Sequence, residues 1–130
     1  MINQNPQANL NPTTVQSGKF GEAIALKYLQ KKGYALLHKN YYIQAGELDL
    51  IMQKNGIIIF VEVKLRSSKD FGTSAEALNN NKKRKLLRAI HTYLNKLPVY
   101  RFWQLDLIGI DYIKSTNTAQ IQHFSNILES

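Results

Sequence analysis

Apolar and polar positions alternate with different periods along the chain, and each change of period marks a predicted element. Residues 1 to 16 are dominated by Asn, Gln, Pro and Thr, which predicts a flexible tail ahead of a single domain over 17–130. From Ser17, a candidate N-cap, "GKFGEAIALKYLQKK" has helical character and stops at Gly33, a fitting C′ residue. "YALLHKNYYI", "ELDLIMQ" and "IIIFVEVKLR" read as three strands, the last two joined through Asn55-Gly56. "TSAE" at 73–76 fits a capping box for a short helical turn. Asparagines 79 to 81 cap the next helix, about 82–97, which carries Leu86, Ile90, Tyr93, Leu94 and Leu97 at helical spacing, with Leu86, Leu87 and Ile90 facing the core, and ends before Pro98. "RFWQLDLIGI" supplies a fourth strand and "AQIQHFSNI" a fifth. The order α-β-β-β-α-β-β predicts an α/β fold, a mixed sheet with helices packed on it.

Four charges break this pattern. Glu47, Asp49, Glu62 and Lys64 lie inside the apolar runs of two strands, where Asp, Glu and Lys are depleted. Asn-Gly is a strong signal for a two-residue type I′ hairpin. With Asn55 and Gly56 as the loop, Lys54 pairs with Ile57, Asp49 falls opposite Glu62, and Glu47 falls opposite Lys64. Alternation then puts all four charges on one face, and Leu48, Leu50, Ile59, Val61 and Val63 on the other. Opposed residues have Cβ atoms roughly 4.5–5.5 Å apart, so Asp49 and Glu62 repel unless a cation lies between them. Hard oxygen ligands suit Mg²⁺ or Mn²⁺ rather than zinc. Lys64 projects into the same space, where it could orient a water, assist its deprotonation or stabilise phosphate charge. The competing reading is a solvated sheet face with a Glu47–Lys64 ion pair. Ile51, Ile58 and Phe60 on that face count against it.

Composition sharpens the picture. The 130 residues carry a net charge of +8, a pI near 9.7 and no cysteine. The charge attracts polyanions, nucleic acid first among them. Without cysteine there is no disulfide or thiolate metal site, and a cytoplasmic protein is the default expectation. No apolar run approaches the length of a membrane helix, and the N-terminus lacks a signal-peptide core. "KKRKLLR" opens the second helix with Lys82, Lys83, Arg84, Lys85 and Arg88, either phosphate contacts or a solvated face; cations at a helix N-terminus oppose the dipole and favour the first. Arg66 and Lys69, beyond the charged strand, are further phosphate candidates. Glu22 shares a stripe of the first helix with Gly18, Ala25, Leu26 and Leu29. It reads equally as an inward ligand or as an acid placed by the macrodipole.

An acid on one strand followed by E-x-K on the next, here Asp49 and then Glu62-Val63-Lys64, resembles the PD-(D/E)xK nuclease signature. More closely, "GKFGEAIALKYLQKKGYALLHKNY", "GELDLI", "FVEVKLR" and the lysine-rich helix resemble the YraN-like family of bacterial proteins, which are similar to archaeal Holliday junction resolvases. The resemblance spans about Gly18 to residue 126. It implies a restriction-endonuclease-like fold and a Mg²⁺-dependent phosphodiesterase site. Asp49, Glu62 and the Val63 carbonyl would be metal ligands, Glu22 a further acid, and Lys64 the catalytic lysine. Glu47 matches the family's GE-x-D glutamate and is expected beside the ligands. The expected function is metal-dependent hydrolysis of DNA, branched or junction DNA included; a homodimer would suit symmetric junction cutting. The alternative is a nucleic-acid-binding module on a nuclease fold without turnover.

Overall fold

The Asn55-Gly56 turn sets the register of one hairpin in the sheet. Both residues have positive φ, 53° and 78°, as the type I′ turn requires. Strands β3 (Gly46–Lys54) and β4 (Ile57–Ser67) leave it antiparallel, in register from Lys54↔Ile57 to Leu50↔Val61. The computed structural model describes residues 2–3, 14–44, 46–67 and 78–128. The 73–76 capping box, Lys69 and residues 4–13 of the expected tail lie outside them.

Around this hairpin the elements run β1 (Ile2–Asn3), α1 (Thr14–Lys31), β2 (Ala35–Ile43), β3, β4, α2 (Asn80–Leu94), β5 (Trp103–Ile113) and β6 (Thr118–Phe124). They form one mixed sheet in the order β1-β6-β5-β4-β3-β2. Only β4 and β5 are parallel among its pairings; a parallel pair needs a crossover, and α2 lies within it. This is the expected α/β, restriction-endonuclease-like arrangement. Helix α1 begins at Thr14, so Ser17 lies inside it rather than at its cap. The α2 cap is Asn79, whose side chain accepts the Lys82 N–H at 2.9 Å.

Each helix covers one face. Ile24, Ala25 and Leu29 of α1 pack on Leu50, Met52, Ile59, Val61, Ile108 and Ile110. Leu86, Ala89, Ile90 and Tyr93 of α2 pack on Leu48, Ile51, Ile58, Phe60 and Leu105. Leu87, expected to face the core, is only half-buried. Fully burying a side chain such as Phe60 contributes about 1.5–3 kcal/mol, so these two layers hold the sheet between the helices. On the α1 side, fully buried Asp106 accepts from Gln104 Nε2 at 2.8 Å and from the Asn126 amide at 2.9 Å, and meets His123 Nε2 at 2.7 Å. These bonds satisfy its carboxylate and tie the segment after β6 to β5.

The hairpin face is where sequence and structure part. Alternation puts Leu48 and Leu50 together, yet Leu48 packs under α2 and Leu50 under α1. The switch falls at residue 49. The β2–β3 register is the same at Lys39↔Leu50 and Tyr41↔Leu48, but Asn40 and Asp49 between them drop out of the ladder; the register shift of this pair lies further along, between Leu36 and His38. Asn40 has φ of 51°, a left-handed conformation that asparagine tolerates better than most residues. One residue out of the pleat turns everything beyond it to the opposite face.

Candidate functional site

Past Leu50 and Val61 the hairpin strands β3 and β4 stop pairing, and the Asp49 side chain explains how. Its Oδ2 accepts the Val63 N–H at 2.9 Å, standing where a strand carbonyl would stand. The strands splay, and an open cleft of about 460 Å³ appears between them, with Glu22, Glu47, Asp49, Glu62, Lys64 and Lys82 on its walls. The expected direct opposition of Asp49 to Glu62 and of Glu47 to Lys64 is therefore not a ladder pairing. The four charges reach one cleft instead of one pleated face.

Each wall has its own cause. Helix α1 comes close because Gly21 has no side chain: a Cβ there would stand 3.2 Å from Leu65 Cβ and 3.6 Å from Val63 Cγ1. That approach delivers the next residue, Glu22, to the strand ends, where it is 9% exposed. The unusual backbone of Asn40 aims its amide inward, where Nδ2 donates to Glu22 Oε1 and, at 3.0 Å, to Glu47 Oε2. Glu62 continues the α2-facing side of β4 and meets Lys82 Nζ at 2.8 Å. Lys64, on β4 beside Gly109 of β5, lines the cleft and forms no side-chain hydrogen bond or ion pair with a described residue.

The acids therefore divide into two sets. Glu22, Glu47 and Asp49 each place a carboxylate oxygen within 4.8 Å of the others, the first two bridged by the neutral Asn40 amide. Glu62 is buried and neutralised by Lys82. Electrostatics show the difference. Burial, then the Glu62 carboxylate, pushes Asp49 up to about 8, against the opposing pull of the Val63 N–H. Burial also raises Glu22; the Asn40 bond opposes the shift, and the Glu47 and Glu62 charges add to it. Burial works against the charged form of Lys82, but the Glu62 carboxylate outweighs it and the pKa rises. For Asp49 and Glu22 burial is the largest cause, and neighbouring carboxylates add to it, as expected for acids crowded in a desolvated site.

A hard divalent cation fits such a set. Oxygens on an ion with bonds of about 2.1 Å lie roughly 3 Å apart when adjacent and about 4.2 Å when opposite, close to the spacing of at most 4.8 Å among these three carboxylates. Asp49 and Glu22, both expected as ligands, stand in this group of acids. Glu47, expected beside the ligands, is one of the three converging acids, while Glu62 lies next to Asp49 in the same cleft and is also paired with Lys82. Val63 gives its N–H to Asp49 and lines the cleft.

Among the phosphate candidates, Arg66 is held by Asp111 through Nε and Nη2, both at 3.1 Å. Arg84 Nη2 donates to Asn81 Oδ1 at 3.4 Å. Lys85 and Arg88 are exposed, Lys83 half-buried, and Lys85 stands on the rim beside Glu47, Asp49 and Glu62. Two participants escaped the sequence reading. Asn40 had a signal, an asparagine inside a strand run, where the residue is depleted. The Lys82–Glu62 pair had none, because it joins residues of two different elements, β4 and α2, with no pattern linking them. Among the described residues no helix is long and apolar enough to cross a membrane.

Comparison with known proteins places this cleft in a family. Residues 21–110 match the model of uncharacterised protein family UPF0102. A UPF0102 protein of Carboxydothermus hydrogenoformans is 37% identical over 113 residues, covering 86% of this chain and 94% of the relative. One from Psychromonas ingrahamii is 41% identical over 106 residues, 82% of this chain and 86% of its own length. One from Legionella pneumophila is 38% identical over 100 residues, 75% and 85% respectively. With the match running through both walls of the cleft, the chain belongs to the UPF0102 family, the YraN-like proteins that its GELDLI and FVEVKLR segments resemble.

Proposed function

We propose that the chain is a divalent-cation-dependent nuclease that hydrolyses phosphodiester bonds in DNA, branched DNA included. The observation that carries this reading is convergence. Glu22 from α1, Glu47 and Asp49 from β3, and Glu62 and Lys64 from β4 meet in one open cleft, although no local pattern requires it. Gathering acids without matching cations costs stability, and such departures from local design mark functional sites.

The residues fit Mg²⁺ or Mn²⁺, with Glu22, Glu47 and Asp49 as ligands and Glu62 within reach. A bound ion there would supply Lewis-acid stabilisation and a more acidic water. The chain does the rest. The Val63 N–H fixes one oxygen of Asp49, and Asn40 sets the angle between Glu22 and Glu47. Lys64 presents an ammonium to the phosphate or to the attacking water and holds or moves a proton at Nζ. The exposed Lys85 and Arg88 line α2 where a sugar-phosphate backbone would run.

One observation favours the second reading, a binding module without turnover: Glu62 of the E-x-K run is already paired with Lys82. The test is incubation of purified protein with linear, flapped and four-way DNA in Mg²⁺, Mn²⁺ or chelator. The nuclease reading expects metal-dependent cleavage, and Lys64→Ala should lower its rate by about a hundredfold or more with the fold intact. Binding to DNA with no cleavage in either metal would support the module instead.

A further inference from the structure

Lys82 has two roles to choose between. By sequence it belongs to the basic run of α2; by position its ammonium lies on Glu62. The Asn79 cap fixes its backbone in the first turn of α2, and Glu62 approaches from the α2-facing side of β4. The pair is asymmetric. Glu62 is 9% exposed at its side chain and Lys82 46%, so the carboxylate cannot leave for water whereas the ammonium can. A buried carboxylate needs a partner, and Lys82 is the partner nearest at hand. Asp49, on the other side of the gap, feels Glu62 strongly enough for the two charges to interact. Glu62 therefore stands between one cation at α2 and the cluster of acids that lacks one.

We propose that Lys82 is an exchangeable counter-ion of the cleft. In the metal-free protein it neutralises Glu62. A divalent cation at Glu22, Glu47 and Asp49 draws Glu62 to itself, and the freed ammonium turns to a phosphate of the bound nucleic acid beside Lys64 and Lys85. This rests on the cation-site reading above. Two consequences follow from charge alone. Lys82 competes with the cation for Glu62, so it weakens metal binding in the absence of nucleic acid. It also couples the two ligands, because the cation that displaces it makes it available to phosphate, and such coupling is reciprocal.

The test is a calorimetric titration of Mn²⁺ into wild type, Lys82→Met, Glu62→Gln and the double variant. It is paired with DNA binding in Ca²⁺ and in chelator. Methionine keeps the apolar stem and removes the charge. Lys82→Met should bind Mn²⁺ more tightly than wild type, on the order of tenfold for a single unit charge near the ion. That gain should be smaller in the Glu62→Gln background, where only the direct repulsion between ammonium and ion is left to remove, and Ca²⁺ should raise DNA affinity less in Lys82→Met than in wild type. Equal or weaker Mn²⁺ binding by Lys82→Met would overturn the proposal and make Lys82 a fixed support for Glu62. Absence of Mn²⁺ binding to folded wild type is a different failure: it overturns the cation site itself and the exchange with it.

Discussion

At the scale of a residue, Asp49 governs the cleft. It leaves the β2–β3 ladder, takes the Val63 N–H and faces Glu22 and Glu62, so it is both the wedge and the most perturbed acid. Its pKa near 8 in the fold lies above the ordinary 3.8. Folding therefore takes up a proton between those values, and the stability linked to it is complete below the lower value and lost as pH rises through the upper one. Glu22 is shifted the same way. In chelator, thermal melts should show wild type losing stability between about pH 5.5 and about pH 8.5. Asp49→Asn keeps an oxygen for the Val63 N–H and should lose less, ending above wild type at the alkaline end. The same pH slope in both proteins would remove Asp49 as the titrating group.

At the scale of an element, the close seat of α1 on β4 is what brings Glu22 into the cleft. Leu65 Cβ is fixed to the strand backbone, so a larger residue at Gly21 must push the helix away rather than displace a flexible tip. Gly21→Val should cost about 1–3 kcal/mol by overpacking and lower metal affinity by moving Glu22, read by chemical denaturation and calorimetry. Unchanged values in both would mean that the helix seats elsewhere. The elements also show what the sequence could tell. Asn55-Gly56 announced its turn, so the register from Lys54↔Ile57 to Leu50↔Val61 followed from counting. Period and caps located both helices within a few residues. Counting failed where a side chain replaced a backbone partner, at Asp49, and where a left-handed residue in the neighbouring strand, Asn40, broke the alternation. The first is a side-chain bond within the hairpin that counting backbone pairs does not include, and the second comes from β2, a strand that a hairpin argument leaves out. Glu47 was accordingly placed opposite Lys64, when its partners come from β2 and α1.

At the scale of the whole molecule, charge is segregated. The chain is strongly basic, yet Glu22, Glu47, Asp49 and Glu62 share one cleft, and among the described residues only Asp106 and Asp111 are acids elsewhere. An acidic cleft beside the exposed cations of α2 suits a ligand that is a polyanion along its length and meets a cation at one point. Duplex binding in chelator should weaken with salt, and Lys85→Ala with Arg88→Ala should flatten the slope of log K against log salt by about 1.8, roughly 0.9 for each lost phosphate contact. An unchanged slope would place the phosphates on another surface.

The central claim is that the splayed strand ends hold a divalent cation, and one measurement addresses it most directly. Mn²⁺ is titrated calorimetrically into wild type and into Asp49→Asn at the same pH, without nucleic acid. Wild type should bind with a defined stoichiometry. Asp49→Asn, which loses one anionic ligand but keeps its size, should bind at least about tenfold more weakly, as for loss of a group that shapes a metal site. Equal affinity in the two proteins would contradict the cation site and, with it, the nuclease chemistry built on it.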